Sequence, residues 1–151
     1  MTAAGLILAA AIGYAFGSVP VAVWVGRRHG VDPRTVGDRN PGYWNTKQTL
    51  GARAALPVFV GDTAKGAAAG LAGLAVAAAL DIHAATGHSA TGHSVGRSLV
   101  YVAVAAAMVG HAYPVFARFA GGRSILTFAG GMAVVSPPTF VVCVVLSLIH
   151  I

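Results

Sequence analysis

Charge is what this 151-residue chain has least of. Only 9% of its residues are Asp, Glu, Lys or Arg, against about 25% in an ordinary soluble domain. Acidic residues number 4, and Cys143 is the single cysteine. So few charges cannot coat a water-exposed surface, which excludes a solvated disordered tail and a soluble nucleic-acid-binding domain. One cysteine cannot close an internal disulfide, so a disulfide scaffold is excluded too. What is present instead is apolar: 56% of residues are hydrophobic and the mean hydropathy is +0.74. The charges that remain are mostly basic, 10 Lys and Arg, giving a formal net charge of +6. This is the composition of an integral membrane protein with a few basic loops.

A helix that spans a bilayer needs roughly 20 mostly apolar residues, and four stretches qualify. The first is uncharged from Met1 to Gly26. No basic segment precedes it, so it reads as an anchor rather than a signal peptide. The second runs from about Ala54 to Leu80 and contains Asp62 and Lys65. The third runs from about Leu99 to Phe116, and the fourth from about Ser124 onward, with a kink or break expected at Pro137-Pro138. The expected fold is therefore all-α, a polytopic helical membrane bundle of about four spans forming a single membrane domain over residues 1–151. Runs such as Gly66-Ala-Ala-Ala-Gly70 predict close helix packing.

Basic residues set the orientation. The first loop carries Arg27, Arg28, Arg34, Arg39, Lys47 and Arg53; the second, about Asp81 to Ser98, carries only Arg97; the third carries Arg118 and Arg123. The first and third loops are expected on the cytoplasmic side and the N-terminus outside. The same two loops hold nearly all the polar chemistry. In the first, Gly37, Asn40, Pro41 and Gly42 are turn formers surrounded by arginines. Backbone donors beside guanidinium forks suit an anion, phosphate in particular. The alternative is a basic anchor on lipid headgroups, with Tyr43 and Trp44 as interfacial aromatics.

Asp62 and Lys65 lie three residues apart, on one helix face. Either they pair with each other, or Lys65 reaches an anion in a pocket. In the third loop, Gly121-Gly122-Arg123-Ser124 opens a helix, where amide groups and the helix dipole favour an anion. It is not a Walker loop, because that spacing is absent. His111 sits at the membrane boundary, as a proton carrier, an anion donor or a hydrogen-bonded core residue. In the outer loop, Thr86-Gly-His-Ser and Thr91-Gly-His-Ser form a short repeat with no Cys or carboxylate cluster, so a flexible loop is expected there and no metal site.

Two basic, glycine-rich loops at a membrane surface suggest a phosphorylated small molecule. Four linked motifs then resemble the acyl-phosphate-dependent glycerol-3-phosphate acyltransferases of bacteria. They are Gly17-Ser18-Val19-Pro20, Asp32-Pro-Arg34-x-x-Gly37-x-x-Asn40-Pro41-Gly42-x-x-Asn45, Asp62-x-x-Lys65-Gly66, and Gly110-His111-x-x-Pro114-Val-Phe-x-x-Phe119-x-Gly121-Gly122. Their order and spacing match from about residue 5 to residue 135. The resemblance implies acyl transfer from an acyl phosphate to the 1-hydroxyl of glycerol 3-phosphate, giving lysophosphatidic acid and phosphate in phospholipid biosynthesis. It implies a multi-pass protein of the bacterial inner membrane, among membrane lipids, with no cofactor, metal, nucleic acid or obligate protein partner. By motif match His111, Arg34, Asn40 and Asn45 are expected to be catalytic. Gly37, Gly42, Lys65, Gly121, Gly122, Arg123 and Ser124 are expected to bind substrate.

The chain departs from the family pattern in three places. Gly37-Asp38-Arg39-Asn40 stands where the family usually has Gly-Ser-Gly-Asn, Gln48 stands at an arginine position, and Arg123-Ser124 replaces Lys-Gly. A carboxylate beside a phosphate is unfavourable unless an arginine neutralises it, and Arg39 is adjacent to Asp38. These changes open a second reading, an inactive homologue that binds phosphorylated metabolites or lipid headgroups. A transporter is the weakest reading, because only the second span carries intramembrane charge. Family members continue to a third cytoplasmic motif, so a truncated chain is expected. Its ending, Leu146-Ser-Leu-Ile-His-Ile151, reads back as CTG TCT CTT ATA CAC ATC, which resembles the transposon-end adapter of sequencing libraries. Residues 146–151 are accordingly expected to be non-native.

Overall fold

The computed structural model describes residues 3–84 and 92–149. Among these, every regular element is a helix. The first apolar stretch is two helices, α1 (Ala3–Gly17) and α2 (Val21–Arg28), which together are long and apolar enough to cross a membrane. The break at Ser18-Val19-Pro20 follows from Pro20, which has no amide to continue the ladder. A polar loop leads to α3 (Tyr43–Leu50) and, after Gly51, to the long α4 (Ala52–Ala84). α5 (Gly92–Ala112) is followed by a 3-10 turn at Val115–Ala117 and a glycine-containing loop. α6 (Ile125–Val135) and α7 (Pro137–Ile149) complete the described chain.

Part of the first polar loop is helical, since Tyr43–Leu50 folds as α3. The fourth stretch breaks at the expected proline pair into two shorter helices, α6 and α7; among the described residues three segments, Ala3–Arg28, Ala52–Leu80 and Gly96–Ala117, have the length and apolarity to cross a bilayer. The break falls at Ser136, which is extended at φ −153°, ψ 90°. A residue before proline is pushed out of the helical region by the proline ring. The first copy of the histidine repeat and Thr91 lie outside the described residues.

α4 is the hub, packing against α1, α5 and α6, while α1 also packs on α5. The seams are made of backbone. A Cβ on Gly13 or Gly17 would run into the carbonyls of Ala103 and Ala107 on α5, and one on Gly66 would strike the Thr127 carbonyl on α6. Gly130 on α6 faces the Thr63 carbonyl on α4 in the reciprocal sense. The buried cluster is correspondingly small in side chain: Ala9, Val76, Ala77, Leu99 and Ala103. Ile7, Leu71, Val109 and Ile125 point outward instead. In lipid, exposing large apolar groups costs nothing, and close approach of small residues supplies the packing.

Candidate functional site

The first polar loop is folded by its own side chains. Asp32 accepts from the Arg34 backbone amide at 3.0 Å and from its guanidinium at 2.7–3.2 Å. Those guanidinium bonds, then the backbone bond, hold the Asp32 carboxyl at about pKa 2 and raise that of Arg34. Arg34 Nη1 also donates to the Ala117 carbonyl at 3.1 Å, tying the first loop to the third. From α3, the buried Asn45 reaches back: Nδ2 donates to the Pro33 and Val36 carbonyls at 2.8 and 3.1 Å, and Oδ1 accepts from the Asp38 amide at 3.3 Å. Gly37 sits at φ +59° with its Cα against Asn45, where any side chain would collide with the amide oxygen.

The third loop is built just as tightly. Gly121 and Gly122 donate their amides to the Ala112 and His111 carbonyls, each at 3.1 Å, closing the C-terminal end of α5. Ser124 precedes α6 with its hydroxyl donating to the Met108 carbonyl at 2.7 Å. The expectation that the glycine amides face a ligand is corrected: carbonyls at the end of α5 take them. What these glycines supply is space, because a Cβ on Gly122 would fill the gap between His111 Nε2 and the Pro41 carbonyl. Among the described residues, the four non-glycine residues with positive φ are Arg39, Arg118, Phe119 and Ser124, all in these two loops. Each such conformation costs of order 1–3 kcal/mol and persists only where surrounding contacts over-determine it.

A buried polar cluster joins the helices beneath the loops. Lys65 Nζ lies 2.9 Å from Asp62 Oδ1 and donates to the Val19 carbonyl at 3.0 Å, at the break between α1 and α2. Asp62 is 2% exposed and Lys65 7%, so each charge has its counter-charge where water is excluded. His111 Nδ1 lies 3.1 Å from Thr127 Oγ1 and 3.7 Å from Asp62 Oδ1. Four elements thus meet through Val19, Asp62, Lys65, His111 and Thr127. Of the two readings of the Asp62-Lys65 pair, the ion bridge is what the geometry has; Lys65 lines only a niche of about 10 Å³ beside it.

Above the cluster opens a cavity of about 260 Å³. Asn40, Gly42, His111, Arg123 and Ser124 line its polar side, with Asp62 at its base, and Tyr43, Trp44, Ile125 and Leu126 line the rest. Gly121 and Gly122 border the adjoining niche with Lys65. Arg123 Nη2 stands 3.6 Å from Asp38 Oδ2, so the arginine facing Asp38 is Arg123, not the adjacent Arg39. Most expected site residues therefore converge. Arg34, Gly37 and Asn45 line neither the cavity nor the niche and instead shape the loop that carries Asn40 and Gly42. Two members were not singled out from sequence as site residues. Asp62 was visible only as the partner of Lys65, and Thr127 had one weak signal, a hydroxyl three residues past Ser124 in an otherwise apolar helix.

Apolar spans crossing at backbone contact, with polar loops meeting over a cavity at one end, define a multi-pass helical membrane protein. Residues 7–151 match the family described as glycerol-3-phosphate acyltransferase. The glycerol-3-phosphate acyltransferase of Exiguobacterium sibiricum is 39% identical over 135 residues, 89% of this chain and 57% of the relative. That of Rubrobacter xylanophilus is 37% identical over 132 residues, 87% of this chain and 58% of the relative. Among solved structures, PlsY, an integral membrane glycerol 3-phosphate acyltransferase, in its glycerol 3-phosphate form superposes with a TM-score of 0.70 at 27% identity, covering 90% of this chain and 60% of that one. Its lysophosphatidic acid form gives 0.67 at 25% identity, covering 90% and 59%. The chain belongs to the glycerol-3-phosphate acyltransferase family and spans less than two thirds of the length of these relatives.

Proposed function

We propose that this chain carries the substrate cavity of an acyl phosphate:glycerol-3-phosphate acyltransferase, working at the cytoplasmic face of a bacterial inner membrane. The observation that carries the reading is the convergence of Asn40, Gly42, His111 and Arg123 on one cavity whose remaining wall is apolar. A phosphate meets Arg123 and the side-chain amide of Asn40, while an acyl chain lies against Trp44, Ile125 and Leu126. The family's solved relative in its glycerol 3-phosphate form supports the choice of acceptor.

In this reading the 1-hydroxyl oxygen of glycerol 3-phosphate attacks the acyl carbonyl carbon. The bond from that carbon to the phosphate oxygen breaks, and inorganic phosphate leaves with the bonding pair. With Nδ1 directed at Thr127 and Asp62, His111 keeps Nε2 for the hydroxyl proton, which passes to the departing phosphate. General-base help of this kind contributes about 10²–10⁴-fold. An acyl phosphate is already activated, so positioning and charge stabilisation supply the remainder. Arg34, Gly37 and Asn45 act as positioning residues, holding the first loop over the cavity. The basic first and third loops support the cytoplasmic orientation.

One observation favours a second reading. Asp38 places a carboxylate beside the cavity's arginine, which suits a homologue that binds phosphorylated metabolites or lipid headgroups without turnover. The test is acyl transfer by the purified protein in detergent, supplied with acyl phosphate and labelled glycerol 3-phosphate. Labelled lysophosphatidic acid that disappears with Gly122→Leu establishes the enzyme. Glycerol 3-phosphate binding without product, unchanged when Asp38→Ser and Gln48→Arg are combined, establishes the second reading.

A further inference from the structure

Arg123 is shared between two environments. It lines the 260 Å³ cavity, and its Nη2 lies 3.6 Å from Asp38 Oδ2. Asp38 is not part of the cavity lining; it lies on the first loop beside Arg123. The carboxylate is held in place, because Oδ1 accepts the Asn40 amide at 3.0 Å and the Asp38 amide is itself tied to the buried Asn45 at 3.3 Å. The guanidinium is the looser partner, with a side chain 66% exposed against 31% for Asp38. A long, solvated arginine between a fixed carboxylate and a cavity answers to whichever anion competes better.

We propose that Asp38 is an affinity-setting residue of the substrate site, a built-in competitor for Arg123 that holds down the phosphate affinity of the cavity mouth. The inference rests on the phosphate-binding reading above. A phosphate on Arg123 must share or displace the carboxylate, and it stands close enough to Asp38 for like charges to repel. The phosphates that enter and leave this cavity are thereby kept exchangeable rather than trapped. Because the pair is solvent-exposed, its effect is modest: removing the Asp38 charge tightens phosphate binding by roughly twofold to fivefold.

The test is calorimetric titration of the purified chain in detergent with inorganic phosphate at constant ionic strength. The proteins are the wild type, Asp38→Asn, Asp38→Ser, Arg123→Gln and the double variant Asp38→Asn/Arg123→Gln. Asp38→Asn keeps an oxygen to accept the Asn40 amide, so the loop is retained; Asp38→Ser gives the same charge removal if the Asn variant lowers the thermal midpoint. The expected result is tighter binding in both Asp38 variants, weaker binding in Arg123→Gln, and little gain from Asp38→Asn once Arg123 is gone. Binding that Arg123→Gln weakens but neither Asp38 variant tightens overturns this inference and leaves the phosphate reading standing. Absence of phosphate binding in every protein overturns both.

Discussion

Gly66→Ala tests whether helix contact sets the site geometry. The added methyl has nowhere to go, because the Thr127 carbonyl of α6 and the Gly131 amide, 3.0 Å from the ideal Cβ, occupy its place. Backbone cannot rotate away as a side chain can, so α4 and α6 must separate, by on the order of 1 Å, to restore ordinary contact. Overpacking of this kind costs about 1–3 kcal/mol, and alanine's better helix propensity returns at most about 1 kcal/mol. The net loss of up to about 2 kcal/mol lowers the thermal midpoint by roughly 4–8 °C for a chain of this size. The functional cost is larger. The residue struck is Thr127, whose hydroxyl is 3.1 Å from His111 Nδ1, and α4 carries Asp62, whose Oδ1 is 3.7 Å from the same nitrogen. A 1 Å misplacement of a reacting group costs about 10²-fold in rate. The assay pairs thermal unfolding in detergent with acyl transfer from acyl phosphate to labelled glycerol 3-phosphate. Gly96→Ala is the control, since its Cβ meets only the Ala77 methyl at 3.5 Å, an ordinary contact, and it should keep both midpoint and turnover. A Gly66→Ala chain as stable and active as the wild type would refute the argument that backbone contact between α4 and α6 fixes the cluster.

Three further outcomes follow from the same geometry. Asn45→Ala strands the Pro33 carbonyl and the Asp38 amide and leaves the Val36 carbonyl with the Arg39 amide alone; it should cost about 1–3 kcal/mol, read as a lower thermal midpoint. Thr127→Val is nearly isosteric but removes the hydroxyl beside His111 Nδ1; kcat should fall several-fold with KM little changed, and Thr127→Ser should restore it. Acid sensitivity should trace partly to Asp32. Its carboxyl titrates near 2 in the folded chain and near the usual carboxylate value of about 3.9 unfolded, so the stability it adds is complete above about pH 4 and lost as pH falls toward 2. The pair with Arg34 is partly exposed, so the effect is at most about 1 kcal/mol. Asp32→Asn should remove that part of the thermal midpoint's slope between about pH 5 and 2, and an unchanged slope would contradict it.

Hydropathy, proline positions and the spacing of small residues are local quantities, and they determined much of this protein. They marked the apolar stretches, the break at Pro137-Pro138 and the two polar loops, because a bilayer admits only long apolar helices whose backbone bonds are satisfied within themselves. Helical period placed Asp62 and Lys65 on one face. Partnership between elements is not local. Only the tertiary structure decided that Thr127 meets His111, that Arg34 reaches Ala117, and that Arg123 faces Asp38. It also decided that the Gly121 and Gly122 amides close α5, and that Asn45 acts on the loop before it rather than on the cavity. A polar side chain bonds to whatever packing brings within about 3 Å, and that depends on how closely α4, α5 and α6 approach, a distance set by glycines such as Gly66 and Gly130 on facing helices.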